Sequence, residues 1–192
     1  MTTQTSTMTD YRRKTSTNRL GLWLFLLSDA FVFAGLMVAR FYLMGFKTRP
    51  EVSQIVGLTV TVVLLVSSFF MNRAEIGAAN NDRKVFLNST LITMLLGILF
   101  LFGVVGVEWQ IAPFGPADGI AGSLFYTMTG FHAFHVLSGV AFLIIVYRNG
   151  RKGLYTQERH WPVEACAVYW HFVDVVWIFF YPALYLIGIA VK

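Results

Sequence analysis

The segment VEACAVYWHFVDVVWIFFYPALY, residues 163–185, decides the fold class, because it is long and apolar enough to cross a bilayer. It nevertheless carries Glu164, His171 and Asp174. Ionisable side chains are costly inside hydrocarbon, so their presence in a membrane helix marks a candidate functional site. Their spacing along the chain places all three on one helix face. Lipid cannot solvate that face, which must therefore meet protein, an internal cavity or a partner subunit.

The rest of the chain has the composition of a membrane protein. Of its 192 residues, 56% are hydrophobic and only 13% are charged, whereas soluble domains carry about 25% charged residues. The apolar residues fall in long blocks, which predict an all-α membrane protein, a bundle of five transmembrane helices. The predicted spans are residues 20–44, 52–71, 85–107, 120–147 and 163–191.

Basic residues concentrate on one side of the predicted bundle. That side holds Arg12, Arg13, Lys14, Arg19, Arg73, Arg83, Lys84, Arg148, Arg151, Lys152 and Arg159, and the other holds Lys47, Arg49 and Lys192. This asymmetry predicts a cytoplasmic N-terminus and a C-terminus outside, in the periplasm. Residues 1–19, which lack an apolar core, are predicted to be a disordered cytoplasmic tail, and residues 20–192 a single transmembrane domain. Because the cations sit beside the spans, the net charge of +5 does not indicate nucleic-acid binding.

Further ionisable residues lie within the other spans. Counting from the span ends at 1.5 Å per residue places five of these side chains near mid-membrane and two near its edges. The mid-membrane residues are Asp29, His132, His135, His171 and Asp174, and those near the edges are Glu108 and Glu164. We expect His132 or His135 to hydrogen-bond with Asp174, Glu164 or His171 across the interface between the fourth and fifth spans. Ser138 and Gly139 extend the face of the two histidines with small residues that permit close helix packing.

Several roles remain open for these residues at this point. The histidines are interpreted first as structural hydrogen-bonding groups; a metal site and a haem bound between two histidines are the alternatives. Asp29 and Arg40 are too far apart along one helix for a direct salt bridge. Asp29 is therefore neutral or paired with another helix or subunit, and a proton relay is one hypothesis. A free-standing transporter that uses the mid-membrane polar groups is an alternative function.

Several long stretches resemble one family, subunit III of the haem–copper terminal oxidases. They are LSDAFVFAG (27–35), NDRK (81–84), MLLGILFLFGVVGVEW (94–109) with the following APFGPADGIAGSLFY, GFHAFHVLSG (130–139) and the quoted segment 163–185. The stretches keep the family order and cover nearly all of the chain after about residue 20. The match is to the short five-helix form found in bacteria.

The resemblance implies a non-catalytic subunit of a respiratory oxidase that reduces oxygen and pumps protons, with cytochrome c or quinol as donor. Haem and copper would lie in partner subunits, and this chain would carry no redox centre or metal. It would pack against subunit I and other oxidase subunits, bind phospholipid, and support proton uptake in the bacterial cytoplasmic (inner) membrane. Asp29 would occupy the family's buried carboxyl position, where longer members usually have glutamate. Rivals are a subunit III-like accessory protein of nitric oxide reductase and a membrane b-type cytochrome.

Overall fold

The fold is a helical bundle with one small sheet, seen in a computed structural model that describes residues 2–191 and, within them, the side chains outside 2–10, 12 and 191. The helices are α1 (Thr2–Met44), α2 (Gln54–Ala79), α3 (Arg83–Leu101), α4 (Trp109–Ile111), α5 (Gly119–Arg151) and α6 (Trp161–Tyr181). Two π-helical segments, π1 (Phe102–Glu108) and π2 (Pro182–Leu186), continue α3 and α6, and the strands are β1 (Thr48–Pro50) and β2 (Ile189–Val191).

Five helical stretches among the described residues are long and apolar enough to span a membrane. They are Arg13–Met44, Gln54–Ala79, Arg83–Ile111, Gly119–Arg151 and Trp161–Leu186. The predicted five-helix membrane fold is thereby confirmed. The turns that join α2 to α3 and α5 to α6 lie at one end of the bundle, which we call the basic edge. The sheet and the loop between α4 and α5 form the other end, which we call the strand edge.

Local chemistry explains where the helices begin. The Ser53 side chain accepts a hydrogen bond from the Val56 amide at 3.5 Å at the start of α2. The Asp82 carboxylate accepts from the amides of Lys84 and Val85 at 3.1 and 3.0 Å at the start of α3. Side chains of this kind satisfy amides that have no partner within the first turn of a helix. The α2–α3 connection is consequently short, which fixes these two helices as antiparallel neighbours.

Two predicted span ends are wrong. The second span was predicted to end at residue 71, but α2 continues to Ala79, since the polar residues that leave the hydrocarbon still favour a helix. The fifth was predicted to reach residue 191, but its helical part ends at Leu186 and residues 189–191 form β2. Gly188 turns the chain with a φ of +105°, and a Cβ there would lie 2.7 Å from the backbone of Thr48. Only glycine permits that approach, which lets β2 pair in parallel with β1.

The predicted disordered tail is a second correction, because α1 continues as a helix down to Thr2. Contacts with the start of α6 and the loop before it accompany the extension as far as Tyr11. The Arg19 guanidinium lies 2.6 Å from the Glu164 carboxylate and 5.4 Å from the centre of the Trp161 ring. About two turns closer to the N-terminus, the guanidinium carbon of Arg159 lies 5.4 Å from the centre of the Tyr11 ring. The division between tail and domain at residue 19 stays a prediction.

Two tryptophans of α6 connect it to the neighbouring helices, through indole hydrogen bonds and through close packing against glycines. The Trp177 indole donates to the Thr61 hydroxyl of α2 at 2.9 Å, and the Trp170 indole donates to Ser67 Oγ at 3.0 Å. The Trp170 ring also packs where α3 and α5 present Gly97 and Gly139, whose added Cβ atoms would lie 2.5 and 2.9 Å from it. The small residue expected at position 139 thus does allow close packing.

Helix α1 lies at the periphery of the bundle. Its large apolar side chains are mostly exposed, for example Trp23 at 61% and Phe31 at 70%. Leu26 and Phe33, by contrast, are only 3% exposed and join the core. An apolar outer face is what a helix in contact with lipid or with another membrane subunit requires.

Candidate functional site

Asp29 of α1 faces His135 of α5. The Asp29 Oδ2 and His135 Nε2 atoms lie 3.0 Å apart, although they are not aligned as a hydrogen bond. The two side chains are 13% and 9% exposed. Phe33 and Phe131 pack on the imidazole, each with its ring centre 4.8 Å away. The polar contact is therefore nearly sealed within the bundle and enclosed by aromatic rings.

The other imidazole nitrogen fixes the tautomer of His135. His135 Nδ1 lies 2.7 Å from the carbonyl oxygen of Phe131. A carbonyl only accepts hydrogen bonds, so Nδ1 must carry the hydrogen and donate it. Any proton exchange by this imidazole consequently takes place at Nε2, the atom that faces the Asp29 carboxylate. The arrangement thus places a carboxylate oxygen and the second ring nitrogen of an imidazole 3.0 Å apart.

His171 and Asp174 of α6 face α2. The Ser68 hydroxyl lies 2.7 Å from His171 Nδ1, and Asp174 Oδ2 lies 4.0 Å from the same nitrogen. Asp174 is 3% exposed, and neither of its carboxyl oxygens hydrogen-bonds within the described part of the chain. Of the predicted polar face of the fifth span, His171 and Asp174 are thus near each other, and His171 meets Ser68 of the second span.

His132 is fully buried and stands apart from the other polar groups. Neither of its ring nitrogens has a hydrogen-bond partner among residues 2–191. Its neighbours are aromatic: the ring centres of Trp177, Phe100 and Phe180 lie 4.8, 5.6 and 6.4 Å away. The three-residue step from His132 to His135 turns the second imidazole by about 60° around the helix. One histidine therefore enters the core and the other reaches α1.

Glu108 and Tyr185 meet near the strand edge. The Tyr185 hydroxyl donates to Glu108 Oε2 at 2.6 Å. Glu108 is 1% exposed and Tyr185 is fully buried. Glu108 ends π1 and Tyr185 lies in π2. A π-helical turn holds an extra residue and rotates the side chains that follow it, so both partners owe their position to this local geometry.

Removal of the Tyr185 hydroxyl should destabilise the bundle. In Tyr185→Phe, Glu108 Oε2 loses its donor, and because Oε1 has no partner among the described residues, the buried carboxyl is left without a hydrogen bond, which should cost about 2 kcal/mol. We expect the midpoint of thermal release from the detergent-solubilised complex to fall by about 4–8 °C. The matched control is Tyr181→Phe. It removes the hydroxyl of the neighbouring ring, whose centre lies 5.2 Å from that of Tyr185, but leaves the bond from Tyr185 to Glu108 intact. An equal loss in both variants would contradict the role given to this bond.

Glu164 lies at the basic edge rather than in the interior. One of its oxygens pairs with Arg19 of α1 at 2.6 Å, and the other lies 3.2 Å from Nε2 of His160. The side chain is 22% exposed. Glu164 therefore joins the N-terminal half of α1 to the start of α6.

The expected pairing between the fourth and fifth spans is wrong in its partner. His135 meets Asp29 of α1, His132 meets aromatic rings, and neither is paired with Asp174, Glu164 or His171 among the described residues. Helical periodicity gives the face of each side chain but not which neighbour that face meets. The structure instead places Asp29 against another helix, as one of the sequence alternatives required. No group of three or more His, Cys, Asp or Glu side chains in the described chain is arranged to hold a metal ion.

Arg40 is the buried charge whose role the sequence reasoning missed. It is fully buried, and its guanidinium donates to four backbone carbonyls. Nε donates to Ala183 O at 2.8 Å and Nη1 to Gly45 O at 2.7 Å. Nη2 donates to Thr48 O at 2.7 Å and to Ile187 O at 3.1 Å. An arginine close to the end of an apolar span, shortly before a glycine turn, was the available signal.

The sequence is similar to one protein family along nearly its whole length. The family described as Cytochrome c oxidase subunit III matches residues 4–189. Among curated proteins, the "Cytochrome c oxidase subunit 3" of Gadus morhua, of Salmo salar and of Dasypus novemcinctus are each 38% identical over 183 residues. Each alignment covers 88% of this chain and 69% of the relative. The buried polar positions described above fall within these aligned regions of the family match.

Proposed function

The chain belongs to the cytochrome c oxidase subunit III family, and on that premise we propose how it serves its complex. It is subunit III of a respiratory oxidase and a multi-pass membrane protein. We propose that it carries no redox centre itself, that haem and copper belong to partner subunits, and that subunit I is its main neighbour. The accessory role in nitric oxide reductase and the transporter are not favoured by the family match.

The single observation that carries the mechanistic part of this proposal is the Asp29–His135 contact of 3.0 Å. It joins the peripheral helix α1 to α5, and it is almost closed to solvent. A proton bound there is shielded from the lipid by Phe33 and Phe131. We propose that the pair holds and releases a proton at His135 Nε2, and thereby supports proton uptake by the catalytic subunit during turnover.

Phospholipid is the second ligand class that we propose. An apolar groove of about 330 Å³ runs between α1 and α6. Its walls include Phe33 and Met37 of α1 and Phe172 and Phe179 of α6. Side chains of this kind suit an acyl chain. The remaining wall would come from another chain of the complex.

The distribution of basic residues supports a proposal about the membrane and the orientation of the chain. We propose that the protein lies in a bacterial cytoplasmic membrane with the basic edge on the cytoplasmic side. The exposed cations Arg83, Lys84, Arg151 and Lys152 of that edge support this orientation.

The Asp29 hypothesis is tested in the assembled oxidase. Asp29→Asn keeps the shape of the side chain but removes its ability to accept and release a proton. If the pair lowers the barrier to proton uptake by about 1.4 kcal/mol, its loss should slow uptake about tenfold. Enzyme inactivation per turnover should rise in parallel, and the pH profile of uptake should shift. Proton uptake is measured by stopped-flow with a pH dye, and inactivation by oxygen consumption.

Two further variants separate a proton role from a packing role. Asp118→Asn changes an exposed loop carboxylate that accepts from the Gly115 amide, and it should leave uptake unchanged. His135→Gln should reproduce the effect of Asp29→Asn, and the double variant should add little, because the two residues act as one unit. Unchanged uptake and unchanged turnover-dependent inactivation in Asp29→Asn would end the relay hypothesis.

A further inference from the structure

A pocket opens at the basic edge, between the α2–α3 turn and the α5–α6 loop. Its volume is about 250 Å³. The chain around it needs unusual backbone at two points: Asn81 has a φ of +58° and Gly153 a φ of +73°. A Cβ added to Gly153 would meet no other described atom within 4 Å, so this side of the pocket is open. The lining residues are Gly77, Ala78, Asn81, Arg83, Phe86, Gly150, Gly153, Tyr155 and Thr156.

Aromatic rings and glycines form the floor of this pocket. Phe86 is 3% exposed, and its ring meets that of Tyr155 edge-on at 6.0 Å. Gly150 brings α5 so close that an added Cβ would lie 2.3 Å from the Phe86 ring. Burial raises the pKa of Tyr155, whose hydroxyl has no hydrogen-bond partner among the described residues. The floor is therefore neutral and largely apolar.

One cation, Arg83, lines the pocket. The Arg83 guanidinium donates through Nη2 to the carbonyl oxygen of Arg151, which ties it across the opening. The acid beside it, Asp82, is occupied by the α3 amides that it caps. Further exposed cations of the two connections and the end of α5 lie outside the lining, together with one exposed acid, Glu158; they are Lys84, Arg148, Arg151, Lys152 and Arg159.

The position of the pocket at the ends of the spans indicates which class of ligand it suits. The pocket lies where α2 and α5 end and α3 begins, which is where we expect the surface of the bilayer if these helices span it. Leu154, beside the pocket residue Tyr155, is 60% exposed and follows the cationic Lys152 after one glycine. A protruding leucine next to cations suits the boundary between headgroups and acyl chains. The positive-inside tendency explains the number of cations, but not a pocket beneath them or an exposed leucine beside them.

We propose that this pocket binds the phosphate-bearing headgroup of an anionic phospholipid from the adjacent leaflet. Arg83 holds the phosphate, and Leu154 lies against the upper part of an acyl chain. The neighbouring cations favour lipids with net negative charge. This site is separate from the α1–α6 groove and does not depend on the Asp29 hypothesis; it requires only that the chain spans a membrane.

The test uses the intact oxidase, purified in mild detergent and depleted of lipid. Phosphatidylglycerol or phosphatidylcholine is then titrated, and bound lipid is counted on the released subunit III by native mass spectrometry. A cation near an anionic surface is worth about fivefold in affinity. We therefore expect Arg83→Gln to weaken phosphatidylglycerol binding about fivefold or more, and wild type to prefer phosphatidylglycerol to phosphatidylcholine. Arg73→Gln, an exposed arginine of α2 outside the pocket lining, is the matched control and should leave the affinity unchanged.

The remaining outcomes are equally decisive. Arg83→Lys keeps the charge and should retain most of the binding, which separates loss of charge from loss of fold. Equal binding of the two lipids by wild type, or equal weakening by Arg73→Gln and Arg83→Gln, would overturn the proposal. Displacement of phosphatidylglycerol by millimolar inorganic phosphate would assign the pocket to a soluble anion instead. Failure of the proton-uptake experiment on Asp29 would leave these lipid measurements unaffected.

Discussion

Arg40→Met should release the strand edge and destabilise the subunit more than Tyr185→Phe does. The guanidinium joins the carbonyls of Ala183, Gly45, Thr48 and Ile187. It thus connects the end of α1, β1 and the end of π2. Methionine fills the volume but donates nothing, so four carbonyls lose a charged donor in a site closed to water. Hydrogen bonds of this kind are costly to leave unmade.

The expected loss is about 4 kcal/mol or more. On the scaling of globular domains of this size, the midpoint of thermal release from the complex should fall by about 8–16 °C. It is measured by size-exclusion chromatography of heated, detergent-solubilised oxidase. Arg40→Lys, with a single ammonium in place of the fork, should lie between wild type and Arg40→Met. Arg49→Met is the control, because Arg49 on the same edge makes only longer bonds, to Gly188 O at 3.2 Å and Pro50 O at 3.3 Å. Equal effects at the two arginines would contradict the account.

Gly97→Leu should have the second largest effect, after Arg40→Met. A Cβ at Gly97 would lie 2.5 Å from Cη2 of Trp170 and 3.1 Å from Cγ2 of Val140. The Trp170 ring cannot move away, because Gly139 of α5 approaches it as closely from another side and its indole is held by Ser67. A leucine there must separate α3 from α6 and break the indole bond. Overpacking of this kind costs about 3 kcal/mol.

The corresponding fall in the release midpoint is about 6–12 °C. Gly21→Leu provides the control, since an added Cβ at this α1 position meets no other described atom within 4 Å. That control should be neutral, because leucine also favours a helix more than glycine does. If Gly97→Leu assembles with a wild-type melting curve, the glycine slot does not constrain the packing of Trp170.

The helices were predictable because the cost of exposing backbone to lipid leaves few alternatives. A block such as residues 85–107 has to be helical once it lies in hydrocarbon. The depth expected for each side chain then follows by counting residues from the ends of the span. The same counting predicts an approximate depth for Asp29 and His135. Their pairing was not predictable, since it depends on which helices become neighbours and on the rotation of each. Arg40 illustrates the same limit: its charge was visible, but its acceptors come from three separate parts of the chain.

The π-helical segments were also beyond the sequence reasoning. Pro182, which begins π2, has no amide hydrogen and so cannot continue the bonding pattern of α6. That proline was a usable signal in retrospect. No comparable signal marks π1, where Gly103 approaches Val60 so closely that an added Cβ would lie 2.4 Å from its Cγ1. Packing against α2 thus accompanies the local geometry that directs Glu108 towards Tyr185.

The most direct test of the central claim is affinity purification of this chain from its native membrane in mild detergent. The co-purifying proteins are identified by mass spectrometry, and a reduced-minus-oxidised spectrum is recorded before and after the chain is separated from them. The account predicts recovery with a haem–copper catalytic subunit, and a haem spectrum that stays with that subunit after separation. Recovery of the chain alone, or haem that remains on it, would contradict its assignment as a non-catalytic oxidase subunit.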